Sequence, residues 1–508
     1  MGNDVALIAY ADRLGGNLSG LHSLLDNEFR DLFSGVHVLP FFYPIDGADA
    51  GFDPVDHTRV DPRLGSWDDI ASLSAKYSFM ADLIVNHVSA DSLQFQDVRR
   101  HGKSSDYWEL FLRKSDIFPD SEPAPDTAEE MRRIYRPRPG SPFTPITLDD
   151  GSSFDFWTTF SAKQLDINVE AAAGRAYLDS ILEQFAEAGI REIRLDAAGY
   201  AIKRRGTPCF MLPETFDFIA ALSEKASALG MRALVEIHSY YQTQKAIASQ
   251  VGRVYDFALP PLVLHTLYSG DADAIKKWLE IAPRNCVTVL DTHDGIGIVD
   301  AARQGDLEGL LPDDEINALV ETIHTKTGGS SRKASGHAAS NLDIYQVNST
   351  DYDALGRNDC EYLIARAIQF FSPGTPQVYY VGLLAGANDM GLVDRTGVGR
   401  DINRHHYSLE EIHEALRRPV VTHLIQLIRL RNSESAFDGT FSIPTCERDE
   451  LVLRWDNDDA HAELRVELSR QYATIDIRAA GKDRRYIIDE NLMNAAEGHG
   501  GSELERNA

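Results

Sequence analysis

Three acids stand at the ends of short apolar runs: Asp196 closes Ile193-Arg-Leu-Asp196, Glu236 closes Ala233-Leu-Val-Glu236, and Asp294 closes Val287-Thr-Val-Leu-Asp-Thr-His-Asp294. A buried strand that ends in an acid sets that acid on the rim of a sheet, where parallel α/β folds keep their chemistry. Two carboxylates on one rim suit retaining glycosidic chemistry, one attacking the anomeric carbon and the other donating a proton to the leaving oxygen. Asp196 fits the nucleophile, because Arg194 on the same strand face would hold it ionised. Glu236 fits the acid and base, since Val235, Ile237 and Tyr240 would favour its protonated form. Asp294, beside His293, fits a stabiliser of positive charge in the transition state. Any one of these acids alone would be an ordinary ion-pair partner at a strand end; three together point to a site.

The elements that position them repeat. Strand-like runs at Val5–Tyr10, Val36–Phe42, Met80–Val85, Glu192–Leu195, Ala233–Ile237, Val254–Leu259, Cys286–Leu290 and Gln377–Val381 alternate with helix-like segments. This pattern predicts an α/β fold, a (β/α)8 TIM barrel. Pro213 and Gly230 bracket one helix, and Ser408-Leu-Glu-Glu411 caps another that is expected to run towards Arg431. Two gaps are too long for plain loops. The expected division is a barrel of 1–86, 169–295 and 354–436, with insertion domains at 87–168 after strand 3 and at 296–353 after strand 7. The second insertion contains Gly328-Gly-Ser-Ser-Arg-Lys-Ala-Ser-Gly336, expected to be mobile. From 437 to 508 the pattern becomes period-2 at Leu451–Trp455, Ala462–Leu468 and Ala473–Arg478, which predicts a C-terminal antiparallel β domain.

The 508 residues carry a formal net charge of −28, which argues against nucleic acid and anionic membrane surfaces as partners. An anionic substrate would therefore need local arginines and histidines. The four cysteines, Cys209, Cys286, Cys360 and Cys446, show no zinc-ligand spacing. With no signal-like N-terminus and no apolar run of membrane-spanning length, the expected location is cytoplasmic.

Asp82-Leu-Ile-Val-Asn-His87, Arg194-Leu-Asp196, Glu236 and His293-Asp294 resemble the four short motifs of the α-amylase superfamily, and Gly51-Phe-Asp-Pro-Val-Asp-His-Thr-Arg-Val-Asp-Pro-Arg-Leu-Gly65 is similar to its second-strand loop. Further segments resemble the sucrose phosphorylase family within it: Gly47-Ala-Asp-Ala-Gly-Phe52, Tyr135-Arg-Pro-Arg-Pro-Gly140, Glu236-Ile-His-Ser-Tyr-Tyr241, Leu290-Asp-Thr-His-Asp-Gly-Ile-Gly297, Asn341-Leu-Asp-Ile-Tyr-Gln-Val-Asn348 and Gly399-Arg-Asp-Ile-Asn-Arg-His405. The superfamily motifs speak for fold and mechanism; the second set speaks for phosphorolysis.

The resemblance implies that Asp196 accepts the glucosyl group, Glu236 is the acid and base, and Asp294 stabilises the transition state. It implies that Asp49 and Arg400 pair and grip the far hydroxyls of the sugar, with His87 and His293 on nearer ones and Phe52 and Phe160 flanking the ring. Tyr200, Ile237, His238, Pro137, Arg138, Leu342, Asp343 and Gln346 would line a site shared by fructose and phosphate. Ile237 departs from the valine usual in the family, a conservative change. The implied reaction takes sucrose and inorganic phosphate to fructose and α-glucose 1-phosphate, without cofactor, and some members of the family are homodimers. Asn86 and His87 match the calcium-binding end of amylases, yet no oxygen set for an ion accompanies them, so no metal is expected. The competing expectations are a sister phosphorylase of sucrose 6'-phosphate, glucosylglycerol or glucosylglycerate, a hydrolase or transglucosidase, and a catalytically dead relative. Pro137 and Asp343 disfavour a phosphorylated sugar, and no acid is missing.

Overall fold

The structure is a computed structural model that describes residues 4–47, 49–119, 127–136, 140–336 and 346–495. The eight predicted runs supply β1 (Ala6–Ala9), β2 (Gly35–Val38), β3 (Ser78–Ile84), β4 (Glu192–Asp196), β5 (Arg232–Val235), β6 (Arg253–Asp256), β7 (Cys286–Thr288) and β8 (Thr375–Tyr379). They close into one barrel in chain order, each paired in parallel with the next and β8 with β1. Almost every strand residue is buried, because helices cover the outside and side chains fill the inside.

The ladders are shorter than the apolar runs. Asp196 ends β4, but Glu236 lies one residue past β5 and Asp294 six past β7, so only Asp196 stands within a strand. Val289 and Leu290 stay buried after pairing has stopped, so burial outlasts the hydrogen bonds. The predicted run Val36–Phe42 divides at Pro40: β2 ends at Val38, and Phe42–Tyr43 pairs antiparallel with Asp56–Val60. Pro213–Ala228 forms the expected helix, with Gly230 at φ +83° behind it. The capping box at Ser408 forms, but its helix stops at Leu416, and a second helix starts at Pro419 and runs to Ser433. Pro419 has no N–H to continue the first helix and suits the first turn of the next.

The three predicted C-terminal strands sit in a six-stranded antiparallel sheet: β9 (Thr440–Ser442), β10 (Glu450–Asn457), β11 (Ala460–Glu467), β12 (Tyr472–Ala479), β13 (Lys482–Asp489) and β14 (Leu492–Ala495). The charged start of β13 conceals it in the sequence. Its Asp483 and Arg485 lie directly opposite Arg478 and Asp476 of β12 and pair with them across the strands. Trp455 of β10 donates to the carbonyl of Phe371 at 2.8 Å, tying the sheet to the barrel helix Asp359–Phe371.

Between β3 and β4, His87–Ser89 pairs antiparallel with Gln164–Asp166, and Phe143–Thr147 forms a hairpin with Ser153–Trp157. After β7, Ile296–Gly297 pairs antiparallel with Gln346–Val347, enclosing the helix Asp313–Lys326. The segment Gly328–Gly336, expected to be mobile, holds a turn and a short helix. Gly328 and Gly329 make a turn at φ +59° and +82°, and Ser330–Ser335 is a helix. Its buried Ser331 bonds His324 Nδ1 and Thr327 Oγ1, each at 2.7 Å. Leu342 and Asp343, expected to line the site, fall in 337–345, outside the described residues. Among the described residues no helix is long and apolar enough to cross a membrane.

Candidate active site

One pocket opens at the C-terminal ends of the barrel strands, lined by Asp49 and Phe52 after β2, His87 and Phe160 after β3, Asp196 and Tyr200 at and after β4, Glu236, Ile237 and His238 after β5, His293, Asp294 and Gln346 after β7, and Arg400 after β8. These predicted residues come together from six strands. Arg194 lies beneath them inside the barrel, and Arg138, Leu342 and Asp343, with Pro137, fall outside the described residues. Ala197, Gly199 and Phe210 line the pocket as well and were not foreseen. Phe210 stacks on Tyr135 at 4.5 Å and leaves no room for a Cβ on Gly199, contacts that no local pattern encodes.

Arg194 organises the floor. The register sets it opposite Asp82 of β3, and its Nη1 bonds Asp82 Oδ1 and reaches Asp196 Oδ1 at 2.9 Å, while Nη2 reaches Glu236 Oε1 at 2.7 Å. His37 of β2 bonds the other oxygen of Asp82 at 3.0 Å. Burial raises the Asp82 carboxyl, but His37 and Arg194 outweigh it and bring it down to about 2. Asp82 therefore remains an anion and takes up part of the charge of Arg194. The contact expected of Arg194 with Asp196 is present, but the same guanidinium also serves Asp82 and Glu236. Burial first, and Glu236 second, lift the Asp196 carboxyl well above the usual range, against the pull of Arg194. One guanidinium thus serves three carboxylates, and of the two that face the pocket Asp196 is the one that burial and its neighbours push toward the protonated form.

Asp294 differs. Burial raises it, yet Arg400, at 2.7 Å from Oδ1, together with His293, His238 and Arg404, drives it far below the carboxylate range. Arg404 was not foreseen; fully buried, it bonds the carbonyl of His293 at 2.9 Å and supports this corner. The pocket thus holds a fixed anion at Asp294 beside the two carboxylates, Asp196 and Glu236, that share Arg194. Burial keeps His87 and His293 neutral, and the His293 ring stacks on Phe52 at 4.8 Å and 8°. His87 Nε2 bonds the carbonyl of Phe52 at 2.9 Å, and its ring lies 5.1 Å from Phe160.

Two places could hold a cation. Asn86 Oδ1 accepts from Lys203 Nζ at 2.8 Å, and the same ammonium meets Asp166 Oδ2 and the carbonyl of Tyr200. A side-chain cation thus joins the segment between β3 and β4 to the barrel. Lys203→Met would leave the buried Asp166 without its counter-charge, a cost of about 3–5 kcal/mol. Urea unfolding should show this loss, whereas added calcium should not restore it. The second place is inside the pocket, where ligand atoms of Glu236, His238 and Asp294 lie within 4.8 Å of one another. Arg194 on Glu236 and Arg400 on Asp294 already supply positive charge there, which disfavours a metal ion.

Residues 5–259 match the family model described as the alpha amylase catalytic domain. The chain is 56% identical over 477 residues to a sucrose phosphorylase of Agrobacterium vitis, covering 94% of this chain and 97% of that one. It is 52% identical over 474 residues to a sucrose phosphorylase of Bifidobacterium adolescentis, covering 92% and 93%. The crystal structure of sucrose 6F-phosphate phosphorylase from Thermoanaerobacter thermosaccharolyticum superposes with a TM-score of 0.88 at 37% identity, covering 96% of this chain and 99% of that one.

Proposed function

This chain belongs to the α-amylase family, in the branch that contains the sucrose phosphorylases, and on that footing we propose that it transfers the glucosyl group of sucrose to inorganic phosphate with retention. The observation that carries the reading is one pocket that gathers Asp196, Glu236 and Asp294 in a chain 52–56% identical to sucrose phosphorylases over nearly its whole length. Asp196 and Glu236 share Arg194 on the pocket floor, and a third carboxylate, Asp294, stays anionic beside Arg400.

In the proposed sequence Glu236 protonates the fructosyl oxygen while Asp196 attacks the anomeric carbon through Oδ2, its Oδ1 being tied to Arg194. Asp294, held by Arg400, faces the positive charge that develops on the sugar. Fructose leaves, and phosphate enters from the same side to attack the glucosyl ester, giving α-glucose 1-phosphate. A chain of net charge −28 must gather cationic groups for such an acceptor, and His238, Arg400 and Arg404 stand at or beneath this pocket. Arg138 is proposed as a further phosphate ligand on the sequence alone.

Incubation with sucrose, with and without phosphate, tests the reading directly. Glucose 1-phosphate should be the main product with phosphate present, and free glucose should form slowly without it. Equal release of glucose under both conditions would point to a hydrolase. Inactivity on sucrose with turnover of sucrose 6'-phosphate or glucosylglycerol would move the assignment to a sister activity.

A further inference from the structure

Asp300 lies outside every motif discussed above and is fully buried under the acceptor side of the pocket. Its Oδ2 lies 2.9 Å from His238 Nδ1, and its Oδ1 accepts from the backbone N–H of Ser239 at 3.0 Å and from Gln244 Nε2 at 2.7 Å. Gln244 is fixed in turn by the carbonyl of Ser239 at 2.9 Å. The His238 ring stacks on Phe257 at 3.8 Å and 15°, so both its tilt and its rotation are set. Nε2 is thereby directed to the pocket, 3.3 Å from Gln346 Nε2. Glycine at 297 is required by the same arrangement, since a Cβ there would stand 2.2 Å from Asp300 Oδ2 and 3.0 Å from His238 Nδ1.

We propose that Asp300 is the positioning residue of the acceptor side: it fixes the proton of His238 on Nδ1, turns Nε2 into the pocket, and so favours phosphate over water as the glucosyl acceptor. The proposal rests on the phosphorylase reading above. With its Nδ1 proton held by the carboxylate, the ring donates from Nε2 to an anion only when doubly protonated, a form that the carboxylate stabilises. Glu236 and Asp294 face the same ring and favour its charge as well, while Tyr135 and Asp256 feel the charge of Asp300. Burial opposes charge on His238 and on Asp300 alike, and Asp300 still lifts His238 above the ordinary histidine range. Water as acceptor makes no such demand, so loss of Asp300 should weigh on phosphorolysis more than on hydrolysis.

The test compares glucose 1-phosphate and free glucose formed from sucrose by the wild type, Asp300→Asn, His238→Gln and the double variant over a range of phosphate concentrations and pH. For Asp300→Asn the KM for phosphate should rise about tenfold, and the ratio of phosphorolysis to hydrolysis should fall about tenfold. The high-pH limb of phosphorolysis should move to lower pH, because His238 loses its second proton sooner without the carboxylate. In the His238→Gln background Asp300→Asn should add nothing. An equal fall in both reactions, an unmoved pH limb, or additive losses would overturn the role. If Asp300→Asn fails to fold, Gly297→Ala supplies the same comparison, and an unchanged product ratio in it would overturn the proposal. A wild type that releases glucose regardless of phosphate would remove the phosphorylase reading itself, and with it the anionic acceptor that Asp300 serves.

Discussion

Asp196→Asn should abolish turnover of sucrose, lowering kcat by at least about 10^4-fold, or roughly 5.4 kcal/mol of barrier. The amide has the size of the carboxylate and can still accept from Arg194 through its oxygen, so the barrel floor should remain assembled. It cannot form a glucosyl ester. No neighbour can substitute: Asp82 is locked beneath by His37 and Arg194, and Asp294 is held by Arg400. The measurement is fructose release with and without phosphate, together with the intact mass of enzyme quenched during turnover. The wild type should gain the mass of one glucosyl group and the variant none. Fructose release above about a hundredth of the wild-type rate, with an unchanged unfolding midpoint, would remove Asp196 from the nucleophile role.

The barrel was legible because eight apolar runs at helical separations leave few alternatives. Strand ends were less legible, as Asp294 illustrates. Hydrophobicity reports burial, and Val289 and Leu290 are buried without being paired, so the run overstates β7 and sets Asp294 at a strand end when it stands on the loop six residues beyond. The break before Pro419 was visible in principle, since proline is the strongest local signal in that stretch. β13 was hidden because Lys482-Asp-Arg-Arg485 resembles a solvated turn until its partners across the sheet are known.

The site divides in the same way. Residues that line the pocket carry motifs, whereas those that set its charge do so across long separations. Arg194 meets Asp82 over 112 positions, Asp300 meets His238 over 62, and Lys203 meets Asn86 over 117. A charged residue inside an apolar strand, as in Met80-Ala-Asp-Leu-Ile84, was the one local hint of a polar barrel floor. That floor alters the protonation argument: the sequence suggested one acid held charged by one arginine, and the fold sets three carboxylates on that arginine.

Glu236→Gln should separate bond breaking from glucosyl transfer. With sucrose, whose fructosyl oxygen needs a proton to leave, kcat should fall by about 10^2–10^4-fold. With α-glucosyl fluoride, whose leaving group departs as an anion, the loss should be much smaller, about tenfold or less. The second step adds a further distinction. Water must surrender a proton as it attacks the ester and would miss the base, whereas phosphate brings its own negative charge. The variant should therefore still convert α-glucosyl fluoride and phosphate to α-glucose 1-phosphate while barely hydrolysing the fluoride. Glu236 also bonds Arg194 at 2.7 Å and accepts from the Ala197 N–H at 3.3 Å, so a purely structural role is a real alternative. Loss of that support would disturb Asp196 and slow both donors alike. Equal losses with sucrose and the fluoride would thus reassign Glu236 to holding the nucleophile; unequal losses, largest where a proton is needed, would follow from the acid and base role.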